Sequence, residues 1–138
     1  MNESEARRRF AAARVARLAT VRTDGCPHLV PIVFALDGDL IYSIVDAKPK
    51  RSLQLVRLAN IRREPRVSLL VDAYDDAWEH LWWVRADGRA SVVASGPGHA
   101  TTIRLLQAKY SQYRDSAAPF GAAIITRVER WRSWSFAP

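Results

Sequence analysis

The chain contains a single cysteine, only three lysines, and no apolar run long enough to cross a bilayer. A lone Cys26 excludes an internal disulfide and fits a reducing compartment, so a cytoplasmic location is expected. Cys26 follows the turn dipeptide Asp24-Gly25, and no histidine is placed in sequence to activate it as a nucleophile. A membrane helix needs about 18 or more consecutive apolar residues, and no segment comes near that. The charged stretch Met1 to Arg9 is followed by no apolar core, which argues against a signal peptide. His28, His80 and His99 stand apart from any Cys, Asp or Glu at ligand spacing, so no metal is expected. G-x-S-x-G, G-x-G-x-x-G and P-loop patterns are all missing, and Gly96-Pro97-Gly98 is loop punctuation rather than a dinucleotide fingerprint.

What is present is apolar and basic. Of 138 residues, 49% are apolar, enough for one core and one domain over 1–138. The formal net charge of +7 calls for an anionic partner. The 21 cations include three lysines, which leaves eighteen arginines, and these are spread along the chain. A nucleic-acid stripe would be clustered and interleaved with aromatics; no nucleic-acid partner is expected, and the charge itself supports an anionic ligand without choosing which.

The pattern predicts a helix over 3–14, with Ala6, Phe10 and Ala13 on one face. Strands follow at 17–22, 28–36 and 40–45, separated by the turns Asp24-Gly25 and Asp37-Gly38-Asp39. Pro31 inside the second strand requires an edge, a bulge or a local break. A helix is expected over 52–62, with Ser52 as N-cap and Pro65 as its stop. Strands at 66–73 and 81–93, a helix over 101–113, and a last strand at 122–128 running on towards the C-terminus complete the chain. Six short antiparallel strands with flanking helices predict a mainly β fold, a small barrel with helices outside.

Two of the three lysines fall in one loop. Lys48, Lys50, Arg51 and Ser52 sit where a strand passes into a helix, and backbone N–H groups at a helix start flanked by cations form an anion site. A phosphate clamp is one reading of this loop and a solvated basic loop is the other. Arg57, about one and a half turns further on, reaches the same site or faces water. Trp82 and Trp83 are consecutive in a strand and must point to opposite faces, so one of them covers a helix, a partner subunit or a flat ligand.

In order and spacing, Leu18-Ala19-Thr20-Val21, Asp24-Gly25-x-Pro27-His28-x-x-Pro31, Lys48-Pro49-Lys50, Asn60-Ile61-x-x-x-Pro65-Arg66-Val67-Ser68-Leu69-Leu70-Val71-Asp72 and Leu81-Trp82-Trp83-Val84-Arg85 resemble the pyridoxamine 5′-phosphate oxidase-like proteins, the flavin-reductase-like split β-barrels. Within them the chain looks like the branch of coenzyme F420 (deazaflavin)-dependent oxidoreductases. The resemblance implies an FMN-binding split-barrel-like fold of six strands and a homodimer with cofactor sites at the subunit interface. It implies cofactor phosphate at Lys48, Lys50, Arg51 and Ser52, and the ring system against Pro31, Ile32 and Val33. Arg57 and Arg85 would support an anionic tail, and Trp83 would wall the ring pocket. Members generally use no dedicated catalytic acid or base, the hydride chemistry being the cofactor's. The chain departs from true pyridoxamine-phosphate oxidases in having no match to their longer C-terminal segment. Three functions stay open: F420-dependent reduction of a small organic acceptor, an FMN-dependent enzyme, and a non-catalytic protein that binds flavin, F420 or haem.

Overall fold

The computed structural model describes residues 1–46, 52–115 and 120–138, with the side chains of 52–55 excepted. Helix α1 (Glu3–Ala12) is started by Asn2, whose side chain accepts from the Glu5 N–H at 2.8 Å. The strands are β1 (Ala16–Val21), β2 (Pro27–Ile32), β3 (Ala35–Asp37), β4 (Leu40–Asp46), β5 (Arg66–Ala73), β6 (Trp82–Val93) and β7 (Phe120–Ser135). Helices α2 (Ser52–Arg63), α3 (Pro97–Lys109) and α4 (Ser111–Arg114) lie between them, with a single 3-10 turn at Trp78–His80.

All seven strands form one antiparallel sheet in the order β2-β1-β5-β6-β7-β4-β3. Its two edges, β2 and β3, are consecutive in the chain and are joined by residues 33 and 34 alone. So short a link between the outermost strands forces the sheet to curl until its edges meet, which makes an open barrel.

Among the described residues the barrel has seven strands where the sequence predicts six. The expected strand 28–36 is cut at Val33–Phe34. Pro31 has no N–H to give and sits on the edge strand β2. Phe34 then turns its backbone to a side chain: its N–H donates to the Tyr110 hydroxyl at 3.2 Å instead of joining a ladder. The expected helix over 101–113 is likewise two helices, α3 and α4, divided at Tyr110, whose backbone is extended. The last strand begins at Phe120, two residues earlier than expected, runs on to Ser135 in line with the extended C-terminal segment, and pairs along the whole of β6.

Alternation places the core inside the curl. Ala16, Leu18, Val67, Leu69, Val71, Val84 and Ala86 face inward with almost no exposure. Phe10 of α1 plugs one end, 5.0 Å from Phe34 and 5.2 Å from Trp131 between ring centroids. Leu58 and Ile61 bring α2 onto the same core, while Leu106 and Tyr110 pack α3 against Ala35, Ile44 and Ala123 in a second cluster. Between Asp87 and Gly88 the β6–β7 register slips, and a Cβ on Gly88 would come within 2.1 Å of the Arg127 carbonyl oxygen. The bulge exists because position 88 carries no side chain. Among the described residues no helix is long and apolar enough to cross a membrane.

Candidate functional site

The free edge of β2 borders a cavity of about 180 Å³ lined by Pro31, Ile32, Val33, Asp46, Arg57 and Tyr113, among others. The chain reaches it from four elements. Strand β2 supplies its last residues, β4 ends there at Asp46, α2 contributes Arg57 from its second turn, and α4 contributes Tyr113.

Arg57 is the chemical centre of this cavity. Its Nε is buried and has no hydrogen-bond partner among the described residues. Burial pulls the guanidinium down from its usual pKa. The residue as a whole is half-buried, but a buried charged donor left without an acceptor is costly and suits an anion. Close by, His28 Nδ1 is also buried without a partner among the described residues. Burial, and then the charges of Arg22 and Arg57, depress the His28 pKa, so the ring is held neutral near pH 7. Under the same helix, Asn60 donates from Nδ2 to the Thr20 hydroxyl at 3.0 Å, with both residues buried. The Tyr113 phenol is pushed up by burial and then by the charge of Asp46. Among the described residues Asp46 is the one acidic group on the cavity wall.

The cavity wall is held from behind. The Tyr110 hydroxyl accepts from Phe34 N–H and lies 3.0 Å from both the Phe34 and the Arg14 carbonyl oxygens. Lys109 donates to the carbonyls of Ala13 at 2.7 Å and Phe34 at 3.0 Å. The backbone at Val33–Phe34, which left the sheet, is therefore fixed by two consecutive side chains of α3 and its C-cap.

The expected site residues divide into groups. Pro31, Ile32, Val33 and Arg57 all line the cavity. Trp83 and Arg85 do not join them. They lie on the outer face of the sheet, over a separate trough of about 460 Å³. There Asp87 fixes Arg85 through Nε at 2.9 Å and through the terminal nitrogen at 3.2 Å, and also accepts from Ser68 at 2.7 Å. Burial raises the Asp87 pKa, but these bonds and the charges of Arg85 and Arg130 outweigh it and hold the carboxyl low. Lys48, Lys50 and Arg51, with the side chain of Ser52, lie outside the described residues; α2 itself begins at Ser52. Sequence reasoning did not single out Tyr113, His28 or Asp46 for this site. Tyr113 is far from Arg57 in sequence and meets it only through the fold, so no local spacing could reveal it.

A family model for pyridoxamine 5′-phosphate oxidase matches residues 3–135, nearly the whole chain. The chain belongs to the pyridoxamine 5′-phosphate oxidase family. The structure is also similar to that of a conserved hypothetical protein from Mycobacterium tuberculosis, with a TM-score of 0.77 and 24% identity over 98% of this chain and 85% of that one. It resembles a FAD-binding protein from Mesorhizobium loti, with a TM-score of 0.71 and 22% identity over 96% of this chain and 94% of the other. It resembles as well the haem storage protein HutZ from Vibrio cholerae, with a TM-score of 0.70 and 15% identity over 96% and 93% of the two chains. At these identities the neighbours establish the fold, a mainly β split barrel with flanking helices, and the fold alone does not choose a ligand.

Proposed function

We propose that this member of the pyridoxamine 5′-phosphate oxidase family binds a phosphorylated flavin-type cofactor at the Arg57 cavity and reduces a small organic acceptor. The observation that carries this reading is the unpaired, buried Nε of Arg57. A phosphate oxygen is the acceptor such a donor lacks. The residues present fit the group in a second respect. At about 180 Å³ the cavity holds a phosphate and part of its chain but not three fused rings. The rings would then lie outside it, beside Pro31 on the open edge of β2. Arg57 would hold the phosphate, Ile32 and Val33 would exclude water from it, and Asp46 at the wall would disfavour a second anion there.

Coenzyme F420 is the first cofactor proposed and FMN the second. The net charge of +7 suits the poly-anionic tail of F420, while the FAD-binding neighbour favours a flavin. Either cofactor, when reduced, supplies a hydride and a proton to the acceptor and is itself oxidised. The protein's own contribution would be to bind, orient and keep water out, with no side chain acting as acid or base.

We also propose a homodimer. Trp78 at 64%, Phe136 at 54% and Trp134 at 39% exposure are large apolar groups that the chain leaves in water, and a second copy would cover them. Sedimentation equilibrium tests this. A monomer at micromolar concentration would overturn it.

The cofactor test is equilibrium titration with F420 and FMN side by side, read by ligand fluorescence. Saturable binding of either with sub-micromolar to micromolar Kd is expected. A protein that binds neither refutes the reading and favours a non-catalytic protein with another ligand, haem being the first to try because of the haem-storing neighbour.

A further inference from the structure

The outer face carries a second trough, chemically unlike the Arg57 cavity. Cross-strand register shows how it is built. Leu29 stands opposite Ala19, and Ala19 opposite Ser68. In the next row Pro31 faces Arg17, Arg17 faces Leu70, and Leu70 faces Arg85. One row further, Asp72 faces Trp83. Leu29, Leu70, Tyr74 and Trp83 thus give the trough an apolar lining with two guanidiniums set into it. Its volume of about 460 Å³ is that of an ordinary small-molecule pocket.

The two guanidiniums are not equivalent. Arg85 is spoken for by Asp87, through both carboxylate oxygens. Arg17 makes no ion pair or side-chain hydrogen bond among the described residues, although Asp72 lines the same trough. Behind Arg17 the trough meets a groove lined by Arg9, Arg14, Asp72 and Trp82, so the local field at that end is positive. An aromatic wall, an apolar floor and one unpaired arginine at the rim form a complementary surface for a flat apolar body that ends in a carboxylate. The location is also informative. Arg17 is paired with Pro31, and Pro31 lines the Arg57 cavity, so the trough and the cofactor cavity adjoin along β2.

We propose that this trough is the acceptor site, and that it takes flat, largely apolar molecules carrying one carboxylate, seated on Arg17. The assignment as acceptor site rests on the cofactor reading above. The trough's lining does not include Trp78, Trp134 or Phe136, but Trp134 is the cross-strand partner of Trp83, so the trough borders the surface proposed for the second copy.

The test uses the full chain and two probes of the same shape, 2-naphthoate and the neutral 2-naphthalenemethanol, titrated against tryptophan fluorescence. Naphthoate is expected to bind at least tenfold more tightly than the alcohol. Arg17→Gln, at an exposed position where folding is not at stake, is expected to abolish that preference and leave alcohol binding unchanged. Trp83→Leu is expected to weaken both probes and remove most of the quenching. Equal affinities for the two probes, or an unchanged naphthoate affinity in Arg17→Gln, overturns the proposal. So does a naphthoate titration that splits a dimer in the ultracentrifuge, which would make the trough a contact between copies. F420 and FMN binding is measured on the same preparations, which separates the two readings. If naphthoate discriminates but neither cofactor binds, the acceptor assignment fails while the site remains. If a cofactor binds but naphthoate does not discriminate, the cofactor reading stands and the trough proposal fails.

Discussion

Lys109 and Phe34 are joined twice: the ammonium donates to the Phe34 carbonyl at 3.0 Å and lies 3.9 Å from the centroid of the Phe34 ring. The same ammonium donates to Ala13 at 2.7 Å. One side chain thus ties the end of α1, the break between β2 and β3, and the end of α3. Burial, and then the neighbouring charge of Arg14, lowers the Lys109 pKa from its usual 10.5 to about 8. The sign of the linkage follows. Between about pH 8 and 10.5 the unfolded chain carries more protons at this site than the folded one, so stability from this group rises with pH across that window. Tyr110 and Tyr113, the other titrating groups near it, have pKa values raised by burial and act only above about pH 10. In urea melts at pH 7, 8 and 9, the wild-type protein should gain on Lys109→Ala as pH rises. At pH 7 the variant should already be weaker by about 1–3 kcal/mol, since the Ala13 carbonyl loses its donor. A gap that does not change with pH would refute this linkage.

The bulge at Asp87/Gly88 gives a steric prediction. Alanine at 88 would place its Cβ 2.1 Å from Arg127 O and 3.0 Å from Val128 Cα, both of them backbone atoms. Backbone in the middle of a ladder cannot swing aside as a flexible side chain can. Gly88→Ala should therefore destabilise by at least about 1–3 kcal/mol, with the loss seen as a lower urea midpoint at unchanged slope. A variant as stable as the wild type would show that the bulge is not held by contact at this position.

How legible all this was in the sequence depends on range. Turns at Gly25 and Gly38, both with positive φ, mark β1–β2 and β3–β4 correctly because their chemistry is local. The opposed faces of Trp82 and Trp83 also follow from strand alternation alone. Trp82 packs against the core and takes Arg9 over its ring, while Trp83 faces the outer trough. The division of 28–36 into two strands was not legible, because the group that takes Phe34 out of the ladder is Tyr110, 76 residues away. The candidate site shows the same contrast. Pro31, Ile32, Val33 and Arg57 line one cavity, while Trp83 and Arg85 line the outer trough, because two strands, β1 and β5, stand between β2 and β6 in the sheet. Tyr113 joins the site through tertiary packing that no sequence spacing encodes.

Thr20 and Asn60 give a coupling prediction. The amide-to-hydroxyl bond of 3.0 Å joins β1 to α2 inside the core, with 2% and 5% exposure at its ends. Thr20→Val leaves the Asn60 amide without this acceptor in a dry place, at a cost of about 1–3 kcal/mol. Asn60→Leu does the converse to the hydroxyl. Removing both should cost less than the two single losses together, because no orphaned partner of this pair remains. Chemical denaturation of the four proteins measures the difference, and strictly additive losses would argue against a shared bond.

Arg57 should show opposite effects on stability and on binding. In the free protein its buried Nε has no partner among the described residues, so one donor of a charged group goes unsatisfied there. Replacing it with the unbranched, apolar Met keeps a stem of similar length and removes the charge. Arg57→Met should thus leave the ligand-free protein as stable as the wild type, or more stable, by urea midpoint. It should weaken the binding of FMN, F420 and inorganic phosphate by at least tenfold, about 1.4 kcal/mol, since one charge-assisted contact to phosphate is lost. Arg57→Lys keeps the charge without the planar fork and should fall between the two. The pairing of outcomes discriminates. A residue needed only for packing would lose stability and affinity together, and an arginine that merely faces water would change neither. Stability held while phosphate affinity falls is the result that a phosphate-binding Arg57 requires.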